Sequence, residues 1–129
     1  MNAVIDYAHH PSEISSLLSV IDVEKSVVVF QPHTYSRTKY LMDDFVSVLK
    51  KVKSLIIYKT YSAREKYNKS GSGKLLYFQL KKTGENNVLY AFDKKTLINA
   101  LTSFTGKEKV VFVGAGDICQ LANKIKDKM

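Results

Sequence analysis

The chain keeps its chemically distinctive residues in three short segments. Of its twenty lysines and arginines, only Arg37 and Arg64 are arginine. The histidines are His9, His10 and His33, and the prolines are Pro11 and Pro32. All seven fall within Asp6-Tyr7-Ala8-His9-His10-Pro11, Gln31-Pro32-His33-Thr34-Tyr35-Ser36-Arg37 and Tyr61-Ser62-Ala63-Arg64-Glu65. A guanidinium reserved for such places in a lysine-biased chain points to planar, bidentate contact with a carboxylate or phosphoryl group. Imidazoles beside it point to hydrogen bonding or acid–base contact with a charged substrate. A metal at the His9-His10 pair would need further ligands such as Asp6 and His33. Most such pairs hold no metal, and none is expected. Tyr35-Ser36-Arg37 reads as a helix start with Ser36 as N-cap, aiming the helix N-terminus and Arg37 at an anion. A nucleophilic Ser36 is not expected, because the nucleophile-elbow pattern is absent.

Two glycine motifs compete for a phosphate. Gly114-Ala115-Gly116-Asp117-Ile118-Cys119 begins like a dinucleotide fingerprint, but Cys119 stands at its third glycine position. It reads as a tight strand-to-helix turn, with Asp117 capping the helix or lying in its first turn, and with amides able to face an anion. Gly73-Lys74 suggests a phosphate loop, but Asn68 and Leu75 replace the glycine and the magnesium-binding hydroxyl. The chain therefore lacks a recognisable triphosphate cradle.

The elements that must position these residues alternate. Ala3–Tyr7, Val27–Phe30, Leu55–Tyr58, Val88–Phe92 and Val110–Val113 read as strands, three of them continuous apolar runs suited to burial on both faces. Helices are expected from Pro11 through Ile21, over Thr38–Lys51, within Ser70–Lys82 after a flexible Ser70–Gly73 stretch, from Asp93 or Lys94 to Phe104, and over Asp117–Lys126. This pattern predicts an α/β fold, a parallel sheet covered on both faces by helices. Ligands in such folds bind beyond the carboxyl ends of the strands. The three scarce segments and the Gly114 turn follow strands one, two, three and five, so they share that rim. The loop after strand four carries no comparable cluster.

Composition narrows the class. Hydrophobic residues make 45% of the 129 and charged residues 25%, which excludes a disordered chain. No apolar run approaches the roughly 18 residues of a membrane span. Met1–Asp6 shows no signal-peptide pattern, and the lone Cys119 cannot close an internal disulfide, so a reducing cytoplasmic setting and no membrane partner are expected. Twenty cations against twelve carboxylates leave +8, but the basic pairs are scattered. They read as a solvated lysine surface, with no nucleic acid partner.

Taken in order, Asp-Tyr-Ala-His-His-Pro, Phe-Gln-Pro-His-Thr-Tyr-Ser-Arg-Thr, Tyr-Ser-Ala-Arg-Glu-Lys and Gly-Ala-Gly-Asp-Ile resemble the C-terminal domain of the Mur ligases. Within that family they resemble the branch acting on UDP-N-acetylmuramate and L-alanine. The likeness spans nearly the whole chain and is loose over Lys66–Asn87. Thr34 stands where many relatives carry arginine. The resemblance implies that residues 1–129 are one Rossmann-like, three-layer α/β/α domain of a three-domain enzyme, with strand order 1-5-2-3-4. It also implies an antiparallel edge strand before Asn2. The implied activity is ATP-dependent amide ligation in peptidoglycan synthesis, through an acyl phosphate. The ATP phosphates and Mg2+ would be held mainly by the central domain, and this domain alone would be inactive. By the same resemblance Asp6 and Tyr7 face the nucleotide, and His9, His33, Tyr35 and Arg37 line the L-alanine and acyl-phosphate pocket. Ser36 and Arg64 belong to its substrate side, with Arg64 and Glu65 forming a loop-ordering ion pair. A stand-alone α/β module binding a nucleotide or another anion is the alternative reading.

Overall fold

The computed structural model describes residues 2–127. Five strands, β1 (Asn2–Asp6), β2 (Ser26–Phe30), β3 (Ser54–Tyr58), β4 (Asn87–Ala91) and β5 (Lys109–Val113), form one parallel sheet in the order β1-β5-β2-β3-β4. Six helices connect and cover them: α1 (Pro11–Leu18), α2 (Tyr35–Tyr40), α3 (Met42–Leu49), α4 (Gly73–Thr83), α5 (Lys94–Thr102) and α6 (Ile118–Lys126). The expected α/β fold, five strands and strand order are all present.

Burial follows from side-chain alternation along the strands. Val28 and Phe30 of β2 join Leu55 and Ile57 of β3 beneath Ile14, Phe45, Leu49, Leu76 and Leu80 of α1, α3 and α4. Val27, Val29 and Ile56 face the other way, against Leu97 and Ala100 of α5 and Ile118, Ala122 and Ile125 of α6. Every position of β2 and β3 is buried, as central parallel strands require. Strands β1 and β4 lie at the edges and are half-exposed, so strand four is peripheral as expected.

Register sets the rim. Asp6 and Phe30 both pair with Val113, and Phe30 pairs with Ile57. The residues after β1, β2, β3 and β5 therefore emerge at one level. The last three strand ends are further stitched there by Gln31 N–H to Val113 O at 2.9 Å and Tyr61 N–H to Pro32 O at 2.9 Å.

Two expected elements differ. The helix predicted over Thr38–Lys51 is two helices, because Leu41 leaves helical geometry at φ −107°, ψ 17° and caps both. The first segment stays at the rim while Phe45 and Leu49 of the second reach the core. The Ser70–Gly73 stretch is packed, not flexible. Lys69–Gly71 forms a 3-10 turn against α2. A Cβ on Gly71 would overlap the Tyr35 carbonyl oxygen, and one on Gly73 would lie 2.5 Å from the Tyr58 carbonyl oxygen. Glycine is required at both by close backbone approach.

Candidate functional site

The loop after β2 is held in a conformation a β-branched residue rarely adopts. Thr34 lies at φ 67°, ψ 145°, and Ala63 and Arg64 in the facing loop are at φ 49° and 74°. These are the positive-φ non-glycine residues among those described. Such strain, on the order of 1–3 kcal/mol each, persists only where surrounding contacts impose it. Here Thr34 N–H donates to Tyr61 O at 2.8 Å, and the Thr38 hydroxyl donates to Thr34 O at 2.7 Å. His33 and Tyr61 form a parallel bridge with rings stacked at 5.2 Å.

Helix α2 starts earlier than expected, and its cap is Thr34 rather than Ser36: Thr34 Oγ1 accepts from Arg37 N–H at 3.2 Å. Ser36 instead donates its hydroxyl to Glu65 Oε2 at 2.5 Å. Glu65 Oε1 accepts from the N–H groups of Tyr35 at 2.7 Å and Ser36 at 3.1 Å. The chain's own carboxylate thus occupies the α2 N-terminus, and those amides do not face an external anion. The Ser36 hydroxyl and these backbone donors hold the Glu65 carboxyl below the usual carboxylate range. The expected Arg64–Glu65 ion pair is not formed. Glu65 turns toward α2, while Arg64 is exposed and makes no ion pair among the described residues.

His9, His33 and Arg37 are brought together. The His9 and His33 ring centroids are 5.8 Å apart. His9 Nδ1–H donates to the Tyr7 carbonyl at 3.0 Å, which leaves Nε2 outside that bond. Glu13 Oε1 lies 3.6 Å from that Nδ1 and accepts from the His9 and His10 amides. His10 turns away and caps α1 through Nδ1, which accepts from Ser12 N–H at 3.3 Å. Burial, then the Arg37 charge, lowers the pKa of His33, so its ring is neutral near pH 7. His33 Nδ1 and Arg37 Nη1 are buried and have no hydrogen-bond partner among the described residues. Buried polar atoms are nearly always paired, so an orphaned acceptor or donor and an orphaned guanidinium nitrogen mark a place for a polar ligand. Tyr35 is half-buried, with its ring edge-on to Tyr67 at 5.5 Å. Asp6 Oδ1 accepts from Ala8 N–H at 2.9 Å, and Tyr7 is 68% exposed at the same rim.

The Gly114 turn is closed. A Cβ on Gly116 would lie 2.5 Å from the Tyr61 ring and 2.7 Å from Gln31 Oε1. Asp117 caps α6 by position but not through its side chain, which accepts from Gln31 Nε2 at 2.6 Å. Ile118 N–H donates to Gln31 Oε1 at 3.0 Å, so that amide is not available to an anion. No group of three or more histidine, cysteine or acidic residues able to hold a metal occurs among the described residues.

Sequence reasoning quoted Gln31 and Tyr61 without giving either a role. Their importance lies in contacts between loops, which no local pattern displays. Beyond the Gly114 turn lies a cavity of about 240 Å3, lined by Gln31, Tyr35, Lys59, Tyr61, Ser62 and Asp117.

Comparison with known proteins identifies the family of this fold. Residues 1–116 match the family described as "Mur ligase, glutamate ligase domain". The UDP-N-acetylmuramate–L-alanine ligase of Caldicellulosiruptor saccharolyticus is 39% identical over 126 residues, covering 95% of this chain and 28% of the relative. That of Buchnera aphidicola is 34% identical over 125 residues, 93% of this chain and 26% of the relative. The crystal structure of the UDP-N-acetylmuramate–alanine ligase from Thermotoga maritima superposes with a TM-score of 0.69 at 25% identity, over 98% of this chain and 26% of that one. The chain thus spans about a quarter of the length of these relatives. With the motif-bearing strand ends gathered at one rim and the family match running through β5, the chain belongs to the Mur ligases and carries their glutamate ligase domain.

Proposed function

We propose that this chain is the C-terminal, amino-acid-side domain of an ATP-dependent ligase that joins L-alanine to UDP-N-acetylmuramate in cytoplasmic peptidoglycan synthesis. The observation that carries the reading is the pairing of two orphaned buried nitrogens, His33 Nδ1 and Arg37 Nη1, at the rim. In this reading Arg37 grips the amino-acid carboxylate or the charge developing on an acyl phosphate and tetrahedral intermediate. His9 presents Nε2 and His33 a neutral ring to the same pocket. Tyr35 lines it, and Arg64 reaches the substrate from the facing loop. Ser36 acts indirectly, by tying Glu65 to α2. Asp6 and the exposed Tyr7 meet the nucleoside end of ATP. Phosphates and Mg2+ are held by the preceding central domain, which also brings the muramoyl carboxylate. An antiparallel strand ahead of Asn2 would cover the open edge of β1.

Because reactants held by different domains must be brought into line, this domain alone supports no turnover. The test measures ATP- and L-alanine-dependent product formation with UDP-N-acetylmuramate, for the 129-residue chain and for the longer protein that contains it. Activity only in the longer protein supports the reading. Activity in the isolated chain, or none with L-alanine in either, overturns it. The orphaned nitrogens would serve a stand-alone anion-binding module as well; L-alanine-dependent turnover in the longer protein separates the two readings.

A further inference from the structure

Gln31 is 1% exposed, yet it is the polar hub of the rim. Its carboxamide nitrogen donates to Lys59 O at 3.1 Å and to Asp117 Oδ1 at 2.6 Å. Its oxygen accepts from Ile118 N–H at 3.0 Å. Both amide hydrogens and the carbonyl oxygen are therefore used, each on a different partner. One side chain at the end of β2 thus holds the end of β3 and the first residues of α6. The hub continues by packing. Gly116 has no room for a Cβ because Gln31 Oε1 and the Tyr61 ring press on it. Tyr61 in turn stacks on His33.

We propose that Gln31 is a positioning residue for the amino-acid half of the site. It sets the Gly116–Ile118 turn against Tyr61 and, through Tyr61, the plane of the His33 ring beside Arg37. The carboxamide reaches His33 through Gly116 and the Tyr61 ring, whereas the same turn reaches Asp6 through a backbone bond, Gly114 N–H to Asp6 O at 3.0 Å, that does not involve the carboxamide. Loss of the carboxamide therefore acts on amino-acid binding before nucleotide binding. This proposal rests on the assignment of His33 and Arg37 to the amino acid.

The chemistry of the clip supplies its own test. Gln31→Glu replaces the donor to Asp117 with an acceptor. Two carboxyl groups then face one another across a 2.6 Å contact and cannot both ionise there. Combining it with Asp117→Asn returns a donor to that pair with the polarity reversed, while Lys59 O stays without its donor. In the longer ligase, Gln31→Glu at pH 7 is expected to raise KM for L-alanine about tenfold, with KM for ATP unchanged within about twofold. Misplacement of catalytic groups by about 1 Å costs on the order of 10²-fold, so kcat/KM for L-alanine falls by up to that factor. The double variant should recover part of the loss, since only the Asp117 bond is rebuilt. Wild-type kinetics in a folded Gln31→Glu ligase, equal losses for both substrates, or no recovery in the double variant each overturn the proposal. On the 129-residue chain, NMR of the His33 ring provides a readout independent of turnover. Its shifts and titration should move in Gln31→Glu and return in part in the double variant; an unmoved ring overturns the clip. If the longer protein does not use L-alanine, the proposed function fails, while the NMR comparison still judges Gln31. Should Gln31→Glu not fold at pH 7, the single variant is compared at pH 5, where a shared proton restores the hydrogen bond; a ring displaced there too counts against the clip.

Discussion

Two loops leave the same rim and spend their polar groups differently. The Gly114–Asp117 turn has the glycines of a phosphate cradle, yet Tyr61 and Gln31 fill the space over Gly116 and one amide is spent on Gln31. The His33–Arg37 loop, marked by its scarce residue types, is strained at Thr34 and leaves His33 Nδ1 and Arg37 Nη1 unpartnered. Glycine in a turn reports that something comes close, and that something can be the protein itself. Strain and orphaned nitrogens report that the surroundings impose a geometry which the loop does not need for its own stability.

The widest test of this contrast is Arg37→Lys in the longer ligase. Charge is kept, but the planar fork that reaches the buried Nη1 position is lost. Transition-state stabilisation should fall by about 2–4 kcal/mol, measured as kcat/KM for L-alanine, the range for removing one preorganised donor. The melting temperature should hardly change, because Nη1 makes no internal hydrogen bond. Normal kinetics in this variant would place the open loop alongside the closed one.

The second test sits on the closed turn. Gly116→Ala drives a Cβ into Tyr61 and Gln31 Oε1, whereas an open cradle would accept it. Overpacking of this kind costs about 1–3 kcal/mol, and thermal melting of the 129-residue chain should show it. Gly84→Ala is the control. Nothing lies within 4 Å of its Cβ, and its φ of 66° alone carries a cost of roughly 1 kcal/mol. A Gly116→Ala chain no less stable than Gly84→Ala would mean that the turn is not filled.

The same contrast explains what was legible beforehand. Strand positions and the shared rim follow from short apolar runs separated by helical periodicity, so β2 and β3 were readable from Val27–Phe30 and Leu55–Tyr58. The clustering of His9, His33 and Arg37 was readable because scarce residue types marked it; the strand order came from family likeness. The Thr34 cap was hidden by Ser36, a better N-cap by residue type, because its selection depends on the neighbouring Tyr61 strand end. Glu65 was misassigned to its sequence neighbour Arg64. Its real partners, Tyr35 and Ser36, are about thirty residues away and are brought to it by a 3-10 turn whose Gly71 touches the Tyr35 backbone. Contacts between loops, rather than propensities within them, decide such details.

The smallest expected effect concerns protons. Burial and the Arg37 charge lower the His33 pKa from the ordinary 6.5, so the folded state binds a proton less readily than the unfolded chain. Where the unfolded state holds more protons, stability rises with pH. This contribution is therefore complete above about pH 7 and is lost progressively as pH falls through 6.5 toward the lowered value. Glu65, whose carboxyl is also held low, acts in the same direction but below its ordinary 4.5, so the two windows separate. His33 is only partly buried, so solvent screens part of the effect, and its share should be on the order of 1–2 °C in melting temperature between pH 7 and 5.5. Comparing wild type with His33→Gln over that interval isolates it, since the variant removes the titrating ring and leaves Glu65 ionised. If the slopes coincide, neither burial nor the Arg37 charge depresses His33. If the variant is flatter, burial together with the nearby guanidinium holds the ring neutral, the state in which it can share a carboxylate with Arg37 without adding a second positive charge.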